Sequence, residues 1–354
     1  MSGAARIVSF MMDSPLEGRD FPGSLPELRA WFRSDADCVD YLDWLRWPDG
    51  FVCPWCADVG DWGVVPGMHR CAGCRRRVSV VAGTVFHRTH TPLTVWFEAA
   101  WLMMASKQGV SALTLQRVPE IGSYQTAWTM THKLRSVMSQ SGRDSLSGRV
   151  EMDETFIGGS SPGAFGRGAA GKTLVAGTIE RRGEGFGRAR LQIIADASSA
   201  SRSDFIRAHV SPGRHSSRMG GPPYPRAAAA IEVHNVKASS QPAHPSLPGV
   251  HLLFSLTKRV LEGTYQGSVL PERLRGYLDE FVFRFNRRNS HTRGLLFFRL
   301  LESAVAGPPT TSTNLAITHR KSTETPVPPP TPHALPRTLA GTPPERPWRV
   351  PRTA

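Results

Sequence analysis

Hydrophobic and polar positions along the 354-residue chain change period several times, and the changes mark out its parts. Over 34–47 the apolar residues Cys38, Tyr41, Leu42 and Leu45 share one helical stripe. Pro48, Asp49 and Gly50 then make a turn. A second stripe over 93–106 runs through Trp96, Ala100 and Met103. A short helix is expected over 111–118 behind Ser111, and Ser123 can cap a longer one reaching Arg135. A polar Ser/Gly stretch, 139–148, separates these helices from a region of period two. There 150–157, 174–180 and 189–195 predict strands. A helix is expected over 201–210, and Arg-rich helical patterns fill 250–305. Residues 1–33 show little periodicity, and 211–248 are dominated by Gly, Pro, Ser and His. The stretch 307–354 is dense in Pro and Thr with few large apolar residues, which predicts disorder.

Charge narrows the partner. Forty-three Lys and Arg against 29 Asp and Glu leave a net charge of +14. A surplus of that size favours a polyanion, because each neutralised phosphate releases condensed counterions. Forty per cent hydrophobic residues suffice for real cores, and the length allows two or three domains. The first residues lack the basic-then-apolar pattern of a signal peptide. The most apolar helix candidate, 96–105, is too short to span a bilayer. A soluble, cytoplasmic protein without a membrane partner is therefore expected.

Four of the five cysteines form two close pairs, Cys53-Pro-Trp-Cys56 and Cys71-Ala-Gly-Cys74, with fourteen residues between them. Two residues between thiolates let a tight turn present both to one tetrahedral ion, and two such knuckles complete a closed, structural zinc site. Arg75 and Arg76 lie in the basic segment around the second knuckle and are candidates for DNA-backbone contact; a solvated face is an equal alternative. The three helices over 92–138 fit a helix-turn-helix-like segment. Tyr124, Gln125 and Thr126, at the start of the third, are its base-reading candidates, because recognition helices work through their N-terminal residues.

Gly166-Arg-Gly-Ala-Ala-Gly-Lys-Thr173 matches a phosphate-binding loop in full. Such a loop must lead into a helix N-terminus. The β-branched stretch Leu174-Val-Ala-Gly-Thr-Ile179 predicts a strand instead, so a hairpin connection is the better reading. More telling is Glu151-Met-Asp-Glu154, an acidic cluster inside an apolar strand, where carboxylates are costly without a partner. Divalent cations supply one. Period two places Glu151 and Asp153 on one face and Glu154 on the other.

The motifs from about residue 39 to 305 together resemble the zinc-ribbon DDE insertion-sequence transposases, the ISXO-like group. They are Arg46-Trp-Pro-Asp-Gly-Phe-Val-Cys-Pro54, Gly83-Thr-Val-Phe86, Thr126-Ala-Trp128, Val150-Glu-Met-Asp-Glu-Thr-Phe-Ile-Gly-Gly159, Lys258-Arg259 with Gly263-Thr-Tyr265, and Asp279-Glu-Phe-Val-Phe-Arg-Phe-Asn-Arg-Arg288. The resemblance implies an RNase H-like core whose acidic residues hold two metal ions, Mg²⁺ being the natural choice. It implies cleavage and strand transfer on double-stranded DNA, at element ends and target, by a homo-oligomer. The expected fold is α+β and multidomain. Its parts are a helical lead-in over 1–50, a zinc ribbon over 51–88, the helix-turn-helix-like segment over 92–138, an RNase H-like DDE domain over 149–305 and a disordered tail over 306–354.

Carried onto this sequence, Asp153 becomes the first metal-binding carboxylate. The family's second aspartate belongs on a strand after the 201–210 helix, but 213–223 contains no acidic residue; a short out-of-frame interval would produce that pattern. His251 takes the third position, seven residues before Lys258, which is expected to contact phosphate near the scissile bond. Arg287 and Arg288 are expected to face DNA or partner carboxylates. Loss of the second carboxylate supports an alternative, a DNA-binding relative without catalysis.

Overall fold

The computed structural model describes residues 14–119, 121–138, 144–158, 172–211, 231–233, 247–265, 269 and 271–307. The Pro-rich stretch expected to be disordered, the stretch 213–223 that lacks an acidic residue and most of the phosphate-loop match lie outside them.

Six helices share one apolar core: α1 Leu25–Trp31, α2 Asp35–Arg46, α3 Leu93–Ala105, α4 Ala112–Arg117, α5 Tyr124–Ser136 and α9 Arg293–Ala306. Each of the first two starts on a serine. Ser34 and Asp37 exchange hydrogen bonds in a capping box, and Ser24 accepts from the Glu27 N–H behind Pro26. Phe32, Tyr41, Phe97 and Phe297 pack ring against ring at the centre, mostly edge to face, bringing four helices together. Helix α9 is thus part of this body, although the sequence division placed it with the catalytic unit. Its Phe297, Leu300 and Leu301 are buried against the N-terminal helices, which joins the expected lead-in to the three-helix segment.

A three-stranded antiparallel sheet, β1 Asp61–Val65, β2 Met68–Cys71 and β3 Arg77–Ser79, docks on the end of α2. Arg46 donates to the carbonyls of Ser79, Val80 and Ala82 at 3.1, 2.6 and 2.8 Å. His69 lies 2.5 Å from Asp61 and 2.7 Å from Asp43 of α2, stacked on Phe51. Burial alone would lower its imidazole; the two carboxylates outweigh that and raise it.

The second sheet has the order β6-β5-β4-β7. Strands β4 Val150–Ile157, β5 Thr173–Arg182 and β6 Gly185–Ile193 form an antiparallel meander, and β7 Ile231–Val233 runs parallel to β4 on its other side. Alternation along β4 splits the faces. Val150 and Met152 pack with Phe205 and Ile206 of α6 Ser199–His209. The opposite face carries Val175 and Ile179 against Val250, Leu253 and Phe254 of α7 Pro248–Tyr265, with α8 Pro271–Phe285 beside it. A side chain at Gly177 would meet the Phe254 ring at 2.5 Å, so that helix sits close because the strand carries glycine there.

The helical body and the sheet unit meet through a buried ionic network. Arg135 of α5 donates to Glu280 of α8 at 2.7 Å, both at most 2% exposed, and stacks over Tyr277. Tyr265 donates to the same carboxylate at 3.1 Å, and Arg284 donates to the Ser106 and Lys107 carbonyls after α3. Burial would raise the Glu280 carboxyl, but Arg135 and Arg284 hold it below its usual range.

Candidate functional site

Two constellations carry chemistry. In the first, Cys53 and Cys56 sit on one knuckle and Cys71 and Cys74 on the other, with all four sulfur atoms within 4.8 Å of one another. Both knuckles use the same turn. Ala57 and Arg75 donate to the Cys53 and Cys71 carbonyls at 2.9 and 3.0 Å, and each adopts a left-handed backbone, at φ 60 and 57. Cys53 Sγ lies 3.7 Å from Cys74 Sγ, and Cys56 Sγ lies 3.5 Å from Cys71 Sγ. Tetrahedral zinc with bonds of about 2.3 Å sets sulfur atoms about 3.8 Å apart, so the cluster fits that ion. Burial pushes the Cys53 thiol up, but the Trp55 and Cys56 N–H groups and neighbouring thiols bring it down to about 7. Phe51, Val78 and Trp47 pack behind the thiols. Around the cluster Arg70, Arg75, Arg76 and Arg77 are all exposed.

The second constellation centres on β4. Asp153, half-buried, has its Oδ2 3.1 Å from Nε2 of His251 on the first turn of α7. Glu151, two residues earlier on the same face, is 1% exposed. Its Oε2 accepts from the Gly249 and Val250 N–H groups at 2.7 and 3.0 Å, and Arg181 donates to Oε1 at 3.2 Å. A carboxylate on those free N–H groups caps the helix and meets its positive end. Gly249 permits the approach, since a Cβ there would lie 2.5 Å from Phe186 and 3.0 Å from Glu151. Glu151 therefore holds the turn that carries His251 beside Asp153, a role the period-two reading did not reveal. On the other face Glu154 is taken by Arg202 of α6.

Among the described residues, Asp153 and His251 are the two donors brought together here, and the four cysteines are the group of three or more that could hold a metal. The neighbouring strand β7 sits in register with β4, Glu232 beside Glu151 and Val233 beside Met152. Thus the strand next to the acidic one lies at 231–233, beyond the stretch 213–223 in which the second aspartate was sought. Asp196 accepts from the Ser198 N–H and Ser201 hydroxyl at the start of α6, and Asp204 pairs with Arg207 on the surface. Both carboxylates are thus taken by groups of their own helix and its cap. The strand β5 follows the phosphate-loop match directly, which removes the helix N-terminus such a loop needs.

Of the remaining candidates, Lys258 is half-buried on α7, two turns beyond His251. Tyr124 and Gln125 are exposed at the start of α5. Thr126 instead supplies the N–H and hydroxyl that engage the cap Ser123, at 3.0 and 2.9 Å. Arg288 departs from expectation. It donates to the Gly187, Phe186 and Phe285 carbonyls, tying the end of α8 to β6. Arg287 donates to the Phe283 carbonyl and lies 3.9 Å over the Phe283 ring. Both guanidiniums, partly buried, are engaged by carbonyls and ring faces at the helix end.

Residues 145–286 match the family model of the ISXO2-like transposase domain, and residues 33–77 match that of the transposase zinc-ribbon domain. The two matches together span more than half of the chain. No curated protein and no solved structure matches it.

Proposed function

The chain belongs to the ISXO2-like transposase family, and on that footing we propose that it binds insertion-sequence ends and cuts DNA at a divalent-metal centre built on Asp153. The observation that carries this reading is the meeting of Asp153 and His251 on a face where Glu151 is already committed to the helix. The sheet supports an RNase H-like core: an antiparallel meander with a parallel strand added beside its first member. A divalent ion would supply charge neutralisation on the phosphate and a more acidic water. Asp153 would hold it, His251 would be its second protein donor, and Lys258 would balance phosphate charge from the same helix. Mg²⁺ prefers oxygen ligands, so the imidazole makes this a weaker Mg²⁺ site than a pair of carboxylates.

The exposed Tyr124 and Gln125 would read bases, with α4 and α5 as the helix-turn-helix-like pair, while Arg75 and Arg76 would meet the phosphate backbone. A homo-oligomer on DNA would bring the two element ends together. The second reading, DNA binding without cleavage, is favoured by one specific observation. Only two donors converge at Asp153 among the described residues, short of a two-ion set. Incubating end-labelled element DNA with the chain in Mg²⁺ or Mn²⁺, beside Asp153→Ala, separates the two. Products lost in the variant support catalysis; identical patterns from both proteins, with binding intact, leave the DNA-binding reading.

A further inference from the structure

The outer face of the small sheet carries chemistry that phosphate contact alone does not use. Register pairs Trp62 of β1 with Arg70 of β2, and Arg70 with Arg77 of β3. The three therefore form a row across the sheet, with strands about 4.8 Å apart. His69 and Val78, one residue along, point the other way into the docked side. Trp62 is 53% exposed, and the Arg70 guanidinium lies 5.8 Å from its ring centroid. A second pair repeats the arrangement at the knuckles, where Arg76 lies 4.8 Å from the ring centroid of Trp55, itself 66% exposed.

Two large aromatic side chains exposed on so small a unit mark a candidate interaction surface. The charge pattern identifies the ligand class. Asp58 accepts from the Gly60 N–H and Asp61 is taken by His69, so both acidic groups of the ribbon are occupied. The outward charges are Arg70, Arg75, Arg76 and Arg77, all cationic. A polyanion that also presents flat π faces matches both properties at once.

We propose that the ribbon binds unpaired DNA, with bases stacking on Trp62 and Trp55 and phosphates meeting the four arginines. Stacking platforms flanked by cationic grooves bind single strands in this way, with little dependence on sequence. The inference rests on the DNA-binding reading above and deepens it. The helices would read duplex, and the ribbon, besides its phosphate contacts there, would hold strands opened or freed at the cleaved ends.

The test measures the affinity of the full-length, zinc-loaded chain for three labelled probes of equal length: an oligothymidine strand, the same strand made abasic, and a duplex. The thymidine strand should bind on the order of tenfold more tightly than the abasic strand. Trp62→Ala should remove most of that difference while leaving duplex affinity unchanged, and Trp62→Phe should restore it. Bound zinc checks that each variant is folded. Equal binding of thymidine and abasic strands, with duplex binding retained, overturns the stacking role but leaves the DNA-binding reading standing. Self-association in the absence of DNA that Trp62→Ala abolishes would assign the face to a second copy of the chain and also overturn it. Absence of binding to every probe overturns both readings.

Discussion

Replacing Glu151 by glutamine tests how the acidic strand positions the rest of the site. The substitution preserves shape and removes a charge that is 1% exposed. Two contributions disappear. The first is the interaction of a carboxylate with the positive end of α7 through the Gly249 and Val250 N–H groups, about 1–2 kcal/mol in a buried setting. The second is the ion pair with Arg181, which is a quarter exposed and contributes about 1 kcal/mol after solvent screening. Glu151→Gln should therefore destabilise by about 2–3 kcal/mol in urea titrations at neutral pH, with an unchanged slope. Because the same contacts hold His251 at Asp153, metal-dependent cleavage should fall by on the order of a hundredfold while duplex affinity stays. Gly249→Ala should reproduce the pattern, since its Cβ would strike Phe186. A Glu151→Gln protein within about 0.5 kcal/mol of the parent, with full cleavage, would refute the positioning argument.

Two further outcomes follow from other parts of the molecule. Cys53→Ser should lower bound zinc and melt the ribbon, read by metal analysis of purified protein and by faster proteolysis of the 51–88 segment; unchanged zinc would contradict the four-cysteine site. His132 of α5 is buried between Trp128 and Tyr277, and burial, then Arg135 and Arg273, hold its imidazole down at about 3. A depressed folded value means its contribution is whole above the unfolded value of about 6.5 and is lost as pH falls toward 3. At pH 5 the loss is about 2 kcal/mol. His132→Phe should flatten the stability profile between pH 7 and 5, and an equally steep profile in the variant would contradict the assignment.

Much of this was legible from residue order, for reasons that particular elements make plain. Strand β4 occupies 150–157 as expected, because Val150, Met152 and Phe156 fall on one face and turn residues bound the segment. The helices α3, α4 and α5 begin and end within a residue of their expected limits; Ser111 and Ser123 cap the last two, and α3 starts behind Pro92. Helix α1 leaves no periodic stripe, because seven residues are too few for one, although Ser24, Pro26 and Glu27 spell a start signal. Where α9 packs was not legible at all. Its apolar stripe demands a partner but does not say that α2 and α3, more than 180 residues earlier, provide it. The same holds for the acidic strand. Alternation correctly set Glu151 apart from Glu154, yet the helix end and the arginine that claim them come from distant segments. Arg287 and Arg288 read as surface cations for the same reason, the carbonyls they satisfy being about 100 residues away or hidden in their own helix.

If Asp153 holds a divalent ion, Mn²⁺ occupancy reports it directly. Free Mn²⁺ would be followed by paramagnetic resonance while the ion is titrated into the chain bound to element-end DNA. The parent should take up Mn²⁺ beyond what the DNA alone binds, His251→Ala should bind more weakly, and Asp153→Ala should bind none of the excess. Equal uptake by the parent and Asp153→Ala would contradict the claim.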